Sequence, residues 1–188
     1  MARRKHLRVA IVSTSLLGSL LTASAFVFAA LSAPTDVHIG FEASGPAGMK
    51  IDGTTTDLKV SEDGSNVVIE VPLANLSTGI ALRDHHMKEK YLEVPRFGST
   101  TLVIAKGALK LPASGERFEG DAPGTLTLHG QTHPVSVHYD AKGDGSGFAA
   151  HGRFRVNMND YGITVPTYLG VTVKPDVDVT ASFHVAGG

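Results

Sequence analysis

Apolar and polar residues alternate one for one in about eight short segments along most of this chain. Val67, Ile69 and Val71 share one face of such a segment, and turn-forming residues follow others, as at residues 63–66 and 142–147. This alternation is typical of antiparallel β-strands with one buried face and one solvated face. A sheet of that kind must close into a barrel or pack on a second sheet, so the pattern predicts an all-β domain.

One segment, residues 76–97, breaks the alternation. Good helix formers dominate its middle, and neither Gly nor Pro occurs between Gly79 and Pro95. We therefore predict a short helix over about residues 81–92. A single helix in a strand-rich chain has to cover an apolar surface, and the open end of a barrel provides one. The pattern favours an antiparallel β-barrel of about eight strands, with one short helix covering an end.

The N-terminus follows a different pattern. Four basic residues precede an apolar run over residues 9–22 and an Ala-Ser-Ala sequence at residues 23–25. This order is typical of a secretory signal peptide, so we predict a signal peptide at residues 1–25 and a folded domain at residues 34–188. Apolar character continues to about residue 33, and an uncleaved inner-membrane anchor is the alternative. The expected location is periplasmic or secreted, or anchored at the inner membrane if the signal is not cleaved.

Composition narrows the classes of function. The chain has no cysteine, which excludes a disulfide, a lipid-modified cysteine anchor and a thiolate metal site. The net charge of −1 becomes −5 when the four basic residues of the signal peptide are removed. A mildly acidic domain lacks the basic surface that nucleic acids require, so we expect no nucleic-acid partner.

Several segments in order along the chain resemble the YceI-like family of secreted bacterial proteins. The sequence VHIGF is similar to the first strand of that family, and VVIEVPLANLSTGIALRDHHMKEKYLEVPRF is similar to its strand, loop and helix. GTLTLHGQTHPVSV resembles the family's central hairpin. The remaining segments that carry the likeness are KIDGTTTDLKV, FRVNMNDYGITVP and VTVKPDVDVTASF. The resemblance implies an extended lipocalin-like β-barrel that encloses a long apolar molecule, such as a polyisoprenoid, an isoprenoid quinone or a fatty-acid derivative.

The resemblance also gives the inward face of the strands a role as the lining of a lipid site. From the strands, the candidate ligand-binding residues are Phe41, Leu58, Ile69, Val71, Leu102, Ile104, Leu126, Leu128, Phe154, Val156, Val179 and Phe183. From the helix, Leu82, Met87 and Tyr91 are expected to cover the cavity. The alternative is that these residues pack on one another and fill the barrel, which would leave a structural or interaction module.

A few polar residues are candidates for contact with a ligand head group. Arg83 and His86 (with its neighbour His85) lie on the predicted helix, and Tyr161 and Tyr168 flank a predicted loop at the barrel mouth. For Arg83 the alternative is an ion pair with Asp84 or Glu89 on a solvated helix face.

Metal-dependent and catalytic functions are the remaining alternatives. The chain contains nine histidines, but no His-Glu-x-x-His sequence and no compact His/Asp spacing. It also has no Gly-x-Ser-x-Gly sequence. We therefore expect a protein that is not an enzyme and has no cofactor or metal, and that sequesters or carries an apolar ligand. A homodimer and a membrane-proximal donor or acceptor protein are open as further partners.

Overall fold

The computed structural model describes residues 33–168 and 170–186, without the side chain of Tyr168; the predicted signal peptide lies outside these residues. Eleven strands are present among them. They are β1 (Thr35–Ser44), β2 (Lys50–Thr55), β3 (Lys59–Asp63), β4 (Asn66–Pro72), β5 (Ser99–Ala105), β6 (Arg117–Leu128), β7 (Gln131–Gly143), β8 (Gly147–Asn157), β9 (Thr167–Tyr168), β10 (Val171–Thr172) and β11 (Asp176–Ala186). Short 3-10 turns cover Pro46–Gly48 and Lys106–Ala108.

Nine of these strands form one curled antiparallel sheet, in the order β2-β1-β11-β8-β7-β6-β5-β4-β3. The last long strand, β11, pairs with the first, so the two ends of the domain lie side by side near the β2 edge of the sheet. Strands β9 and β10 form a separate small hairpin. The predicted fold class is confirmed, with nine strands in the main sheet where the pattern predicted about eight.

The loop after β4 covers the edge strand β2. The Thr54 N–H donates to the Ser77 carbonyl at 2.8 Å, and the Ser77 N–H donates to the Thr54 carbonyl at 2.9 Å. An exposed strand edge is a site for unwanted pairing, and this bridge satisfies part of it. The same bridge brings the start of the helical segment to the side of the sheet where β1 and β2 lie.

The helical segment begins at the predicted residue but changes its geometry halfway. The α-helix α1 spans Ala81–His86, and a π-helical turn over Met87–Tyr91 continues it. Below, residues 80–91 are called the lid. No helix among the described residues is long and apolar enough to cross a bilayer.

The hairpin between β6 and β7 turns at His129 and Gly130, because Leu128 pairs with Gln131. Both have positive φ angles, 51° and 73°, as a type I′ turn requires. His129 tolerates this backbone because its ring packs 4.5 Å from that of Phe97 and its Nδ1–H donates to the Tyr161 carbonyl at 3.1 Å.

Candidate functional site: an apolar cavity beneath the lid

A cavity of about 810 Å³ lies inside the curled sheet. Ligand sites for small molecules span roughly 300–1,000 Å³, so this cavity is at the upper end of that range. Its wall is built from the inward face of the strands and from the lid, and most of the side chains that line it are aliphatic or aromatic. The interior is therefore open, and the alternative of a barrel filled by its own side chains does not describe this structure.

The structure brings most of the predicted ligand-binding residues together around this one cavity. From the strands these are Phe41, Ile69, Val71, Leu102, Ile104, Leu126, Leu128, Phe154, Val156, Val179 and Phe183, and from the lid Leu82, Arg83, His86, Met87 and Tyr91. They occupy the lining because strict alternation places every second residue of a strand on the same face. Their contact with a ligand stays a prediction.

Two of the predicted residues do not line the cavity. Leu58 precedes β3, and Val60, two residues later, takes the lining position. Tyr161 was expected at the mouth but is only 2% exposed; it lies in the core with its ring edge-on to that of His133, 5.1 Å away. This burial raises the pKa of the Tyr161 hydroxyl. The side chain of Tyr168 lies outside the described residues.

Several lining residues were absent from the sequence-based site. Val137 and Tyr139 on β7 share the inward face, and the alternation of that strand was sufficient to find them. Phe148 and Ala150 also line the cavity, but they follow a Gly-rich turn where the alternation is poorly defined. His151 and Gly152, the next two residues of β8, line it as well.

A hydrogen-bond network at the start of the lid fixes its approach to the sheet. Asp84 accepts hydrogen bonds from the Ser77 hydroxyl at 2.6 Å, the Thr78 N–H at 2.6 Å and the Thr78 hydroxyl at 2.5 Å. Arg83 donates from Nε to the Thr78 hydroxyl at 2.7 Å and from Nη2 to the Thr78 carbonyl at 2.8 Å. Arg83 thus contacts Thr78 instead of forming the alternative ion pair with Asp84 or Glu89, and Arg83 and Asp84 hold the same loop.

Two of the basic lid residues border the cavity. Arg83 and His86 line the cavity, whereas His85 is exposed outside it. The guanidinium carries five N–H donors, more than its two contacts with Thr78 use. A carbonyl, carboxylate or phosphate oxygen of a ligand would find donors here.

The Asp84 network makes the lid sensitive to acid. The hydrogen bonds from Ser77 and Thr78 lower the pKa of Asp84 from 3.8 to about 2. Because the folded state holds the proton less readily than the unfolded chain, the network is fully stabilising above pH 3.8 and is lost as the pH falls through about 2.

We expect Asp84→Asn, which loses acceptor capacity, to cost about 1 kcal/mol of the free energy of unfolding. Faster amide exchange of Thr78 in the variant would check this, and unchanged exchange would contradict it.

Several histidines of the described residues form ion pairs with carboxylates and do not assemble a metal centre. Within residues 33–168 and 170–186, no three His, Asp or Glu side chains are placed to hold a metal ion. His138 instead lies between Asp121, at 3.0 Å, and Glu119, at 3.1 Å, and His184 pairs with Asp144 at 2.8 Å. These pairs connect neighbouring segments on the solvated side of the sheet.

Comparison with known proteins identifies relatives across nearly the whole described domain. The sequence model of the YceI-like domain matches residues 32–185. A UPF0312 protein of Pseudomonas syringae pv. tomato is 29% identical over 150 residues, which cover 76% of this chain and 74% of the relative.

Two solved structures are similar in fold. A polyisoprenoid binding domain from Saccharophagus degradans, implicated in plant cell wall breakdown, matches with a TM-score of 0.67 and 16% identity, over 85% of this chain and 98% of that domain. BcnA of Burkholderia cenocepacia matches with a TM-score of 0.63 and 14% identity, over 80% of this chain and 96% of that protein. At these identities the structures establish a shared fold.

Proposed function

Since this chain belongs to the YceI-like family, we propose that it binds a long apolar molecule inside the curled sheet and sequesters or carries it. The candidate ligands are a polyisoprenoid, an isoprenoid quinone or a fatty-acid derivative. The single observation that supports this most is the open cavity of about 810 Å³ with its apolar wall. The polyisoprenoid binding domain of similar fold points to the same ligand class.

The physical basis of binding is the removal of apolar surface from water. An apolar chain gains about 25 cal/mol for each Å² that it buries, so a long lipid can bind through area alone. Such a site needs few polar contacts, and its selectivity then follows from the length and shape of the ligand. Residues as far apart in sequence as Phe41 and Phe183 line the cavity, so a chain molecule would contact strands from both ends of the domain.

The polar residues of the lining favour a head group that accepts hydrogen bonds. Of the basic residues at the cavity, Lys50 pairs with Glu42 at 2.9 Å and His151 with Asp140 at 3.5 Å, which leaves Arg83 and His86 to meet a ligand. No Asp or Glu among the described residues lines the cavity. A quinone carbonyl, a carboxylate or a phosphate is compatible with this set, whereas an ammonium group is not. We propose Arg83 and His86 as the head-group contacts.

The proposed role involves no catalysis and is situated in the bacterial envelope. The predicted signal peptide supports a periplasmic or secreted protein. A carrier there would exchange its ligand with a membrane or with a donor or acceptor protein, and a homodimer is compatible with the role. None of the proposed steps changes a covalent bond of the ligand.

Organic extraction tests the proposal. Protein purified from bacteria without detergent and without denaturation is extracted, and the extract is analysed by mass spectrometry. We expect a long-chain isoprenoid or acyl compound in amounts comparable to the protein. An extract that contains no such molecule above the level of a control protein purified in parallel would contradict the proposal.

A further inference from the structure

The large apolar side chains that are exposed on this protein are not scattered. Five are exposed among the described residues: Met49 (38%), Ile80 (53%), Leu82 (62%), Leu111 (36%) and Val171 (41%). All five line the cavity, and we call them the apolar rim. Single exposed apolar residues are ordinary on a protein surface, but a set confined to the border of one site is typical of a contact surface.

The two most exposed rim residues are neighbours on the lid. Ile80 is the residue that precedes α1, and Leu82 lies in its first turn. The Asp84 network fixes the loop immediately before them, because Ser77 and Thr78 both donate to that carboxylate. A fixed backbone therefore holds the side chains of Ile80 and Leu82 in solvent. Their exposure to water costs free energy, which the isolated protein does not recover.

Two other rim residues, Met49 and Val171, lie near a hydrogen bond that joins segments distant in sequence. The Lys174 N–H donates to the Ser44 carbonyl at 2.6 Å, which ties the strand pair β9–β10 and the residues after it to the end of β1. Val171 lies in that pair, and Met49 follows the turn after β1. The rim is thus assembled from segments distant in sequence.

The net charge of the lid beside the rim is positive, whereas the net charge of the rest of the domain is negative. The lid contains Arg83, Lys88 and Lys90 against Asp84 and Glu89, and it also carries His85 and His86. The cavity lining contains no acidic residue among those described, and Lys50, beside Met49, is paired with Glu42 at 2.9 Å. Without the signal peptide, by contrast, the chain has 13 Lys and Arg against 18 Asp and Glu, from totals of 17 and 18. An acidic body with a basic, apolar face is oriented lid-first by a negatively charged surface.

From these observations we infer that the lid and the apolar rim dock on an anionic lipid surface, where the ligand passes between the bilayer and the cavity. The inference rests on the proposed function, since the surface is an entrance for a lipid. Proteins that bind at a membrane interface usually insert apolar side chains into the acyl region and place basic residues at the lipid head groups. A ligand that passes directly between the bilayer and the cavity also avoids exposing its whole apolar length to water.

The absence of cysteine in the sequence permits a local test on the full chain. A single cysteine, Leu82→Cys, is labelled with an environment-sensitive fluorophore. Lys142→Cys, at an exposed position of β7 that does not line the cavity, is the matched control. Vesicles of phosphatidylethanolamine and phosphatidylglycerol with brominated acyl chains are added, because bromine quenches only a fluorophore in contact with the acyl region. A local probe remains informative even if the N-terminus itself anchors the chain.

We expect quenching at position 82 that is at least severalfold stronger than at position 142. It should weaken on vesicles of phosphatidylcholine alone and at high salt, because the basic residues then lose their attraction. Ile80→Cys repeats the measurement should Leu82→Cys fail to fold. Equal quenching at the lid and control positions, or none at the lid, overturns the inference, and a protein partner for the rim would give the latter result.

The outcome separates this inference from the proposed function. A protein that yields a lipid on extraction but shows no quenching at the lid retains its proposed ligand and loses the proposed docking surface. Quenching at the lid from a protein that yields no lipid keeps the surface and contradicts the ligand.

Discussion

Replacing Ala181 by Phe is expected to weaken ligand binding at least about tenfold while the sheet remains folded. Ala181 lies on β11 and lines the cavity, and its register partners on the neighbouring strands are Ile39 and Gly152. A small residue opposite a glycine leaves space, into which a benzyl group would project. In a filled core such a change costs about 1–3 kcal/mol, but an open cavity accepts the ring with less strain.

The affinity should fall by at least about tenfold, since the ring excludes apolar ligand surface of a size worth more than 1.4 kcal/mol. Extraction and mass spectrometry of the variant would show little or no lipid, and its thermal unfolding would stay close to that of the wild type. Thr180→Phe is the matched control, because the preceding residue of the same strand is exposed and does not line the cavity. Ligand retention by Ala181→Phe equal to that of the control would show that the ligand does not occupy this cavity.

The second large effect is expected at Gly143, where Ala should destabilise the fold. A Cβ built on this residue would lie 2.2 Å from the carbonyl oxygen of Ala113 and 2.8 Å from that of Pro112. Both atoms belong to the backbone, so no side-chain rotation can relieve the contact. Gly143 also holds this segment, since its carbonyl accepts from the Gly115 N–H at 3.0 Å and its N–H donates to the Glu116 carbonyl at 3.1 Å. We expect a loss of about 3 kcal/mol in the free energy of unfolding.

Denaturant unfolding measures this loss, and Gly152→Ala is the comparison. There the nearest atom is a methyl of Val137 at 3.4 Å, an ordinary contact, so that variant should be nearly neutral. Leu109 and Leu111, just before the segment that would be displaced, line the cavity, and Gly143→Ala should therefore also release ligand. Equal stability of the two variants would mean that the segment 112–116 moves freely away from β7.

The barrel and much of its lining were predictable because they depend on a local rule. A strand with period-two alternation places Ile69, Leu102 and Leu126 on one face wherever its neighbours lie, and that face has to be inside. The rule fails where a strand ends. Leu58 lies just before β3, so the register of that strand does not determine which way it faces. Tyr161 lies in a loop, where alternation does not predict its packing against His133.

The features that the sequence did not predict depend on contacts between distant segments. The Asp84 network involves the loop at Ser77, which pairs with Thr54 on the edge strand β2, more than twenty residues earlier in the chain. In the sequence, Gly143 resembles the other glycines of turns. The structure shows that the backbone of Ala113 lies against it. The apolar rim is similar, since an exposed Leu82 and an exposed Val171 become one feature only after both are found at the same cavity.

The central claim is that one long apolar molecule occupies the cavity inside the sheet. Native mass spectrometry of the detergent-free protein tests it most directly, by comparing the intact mass under native and denaturing conditions. The account predicts a native mass that exceeds that of the chain by the mass of one lipid, and the loss of this difference on denaturation. A native mass equal to that of the chain alone would contradict it, where an unfolding curve of the same preparation shows that the protein is folded.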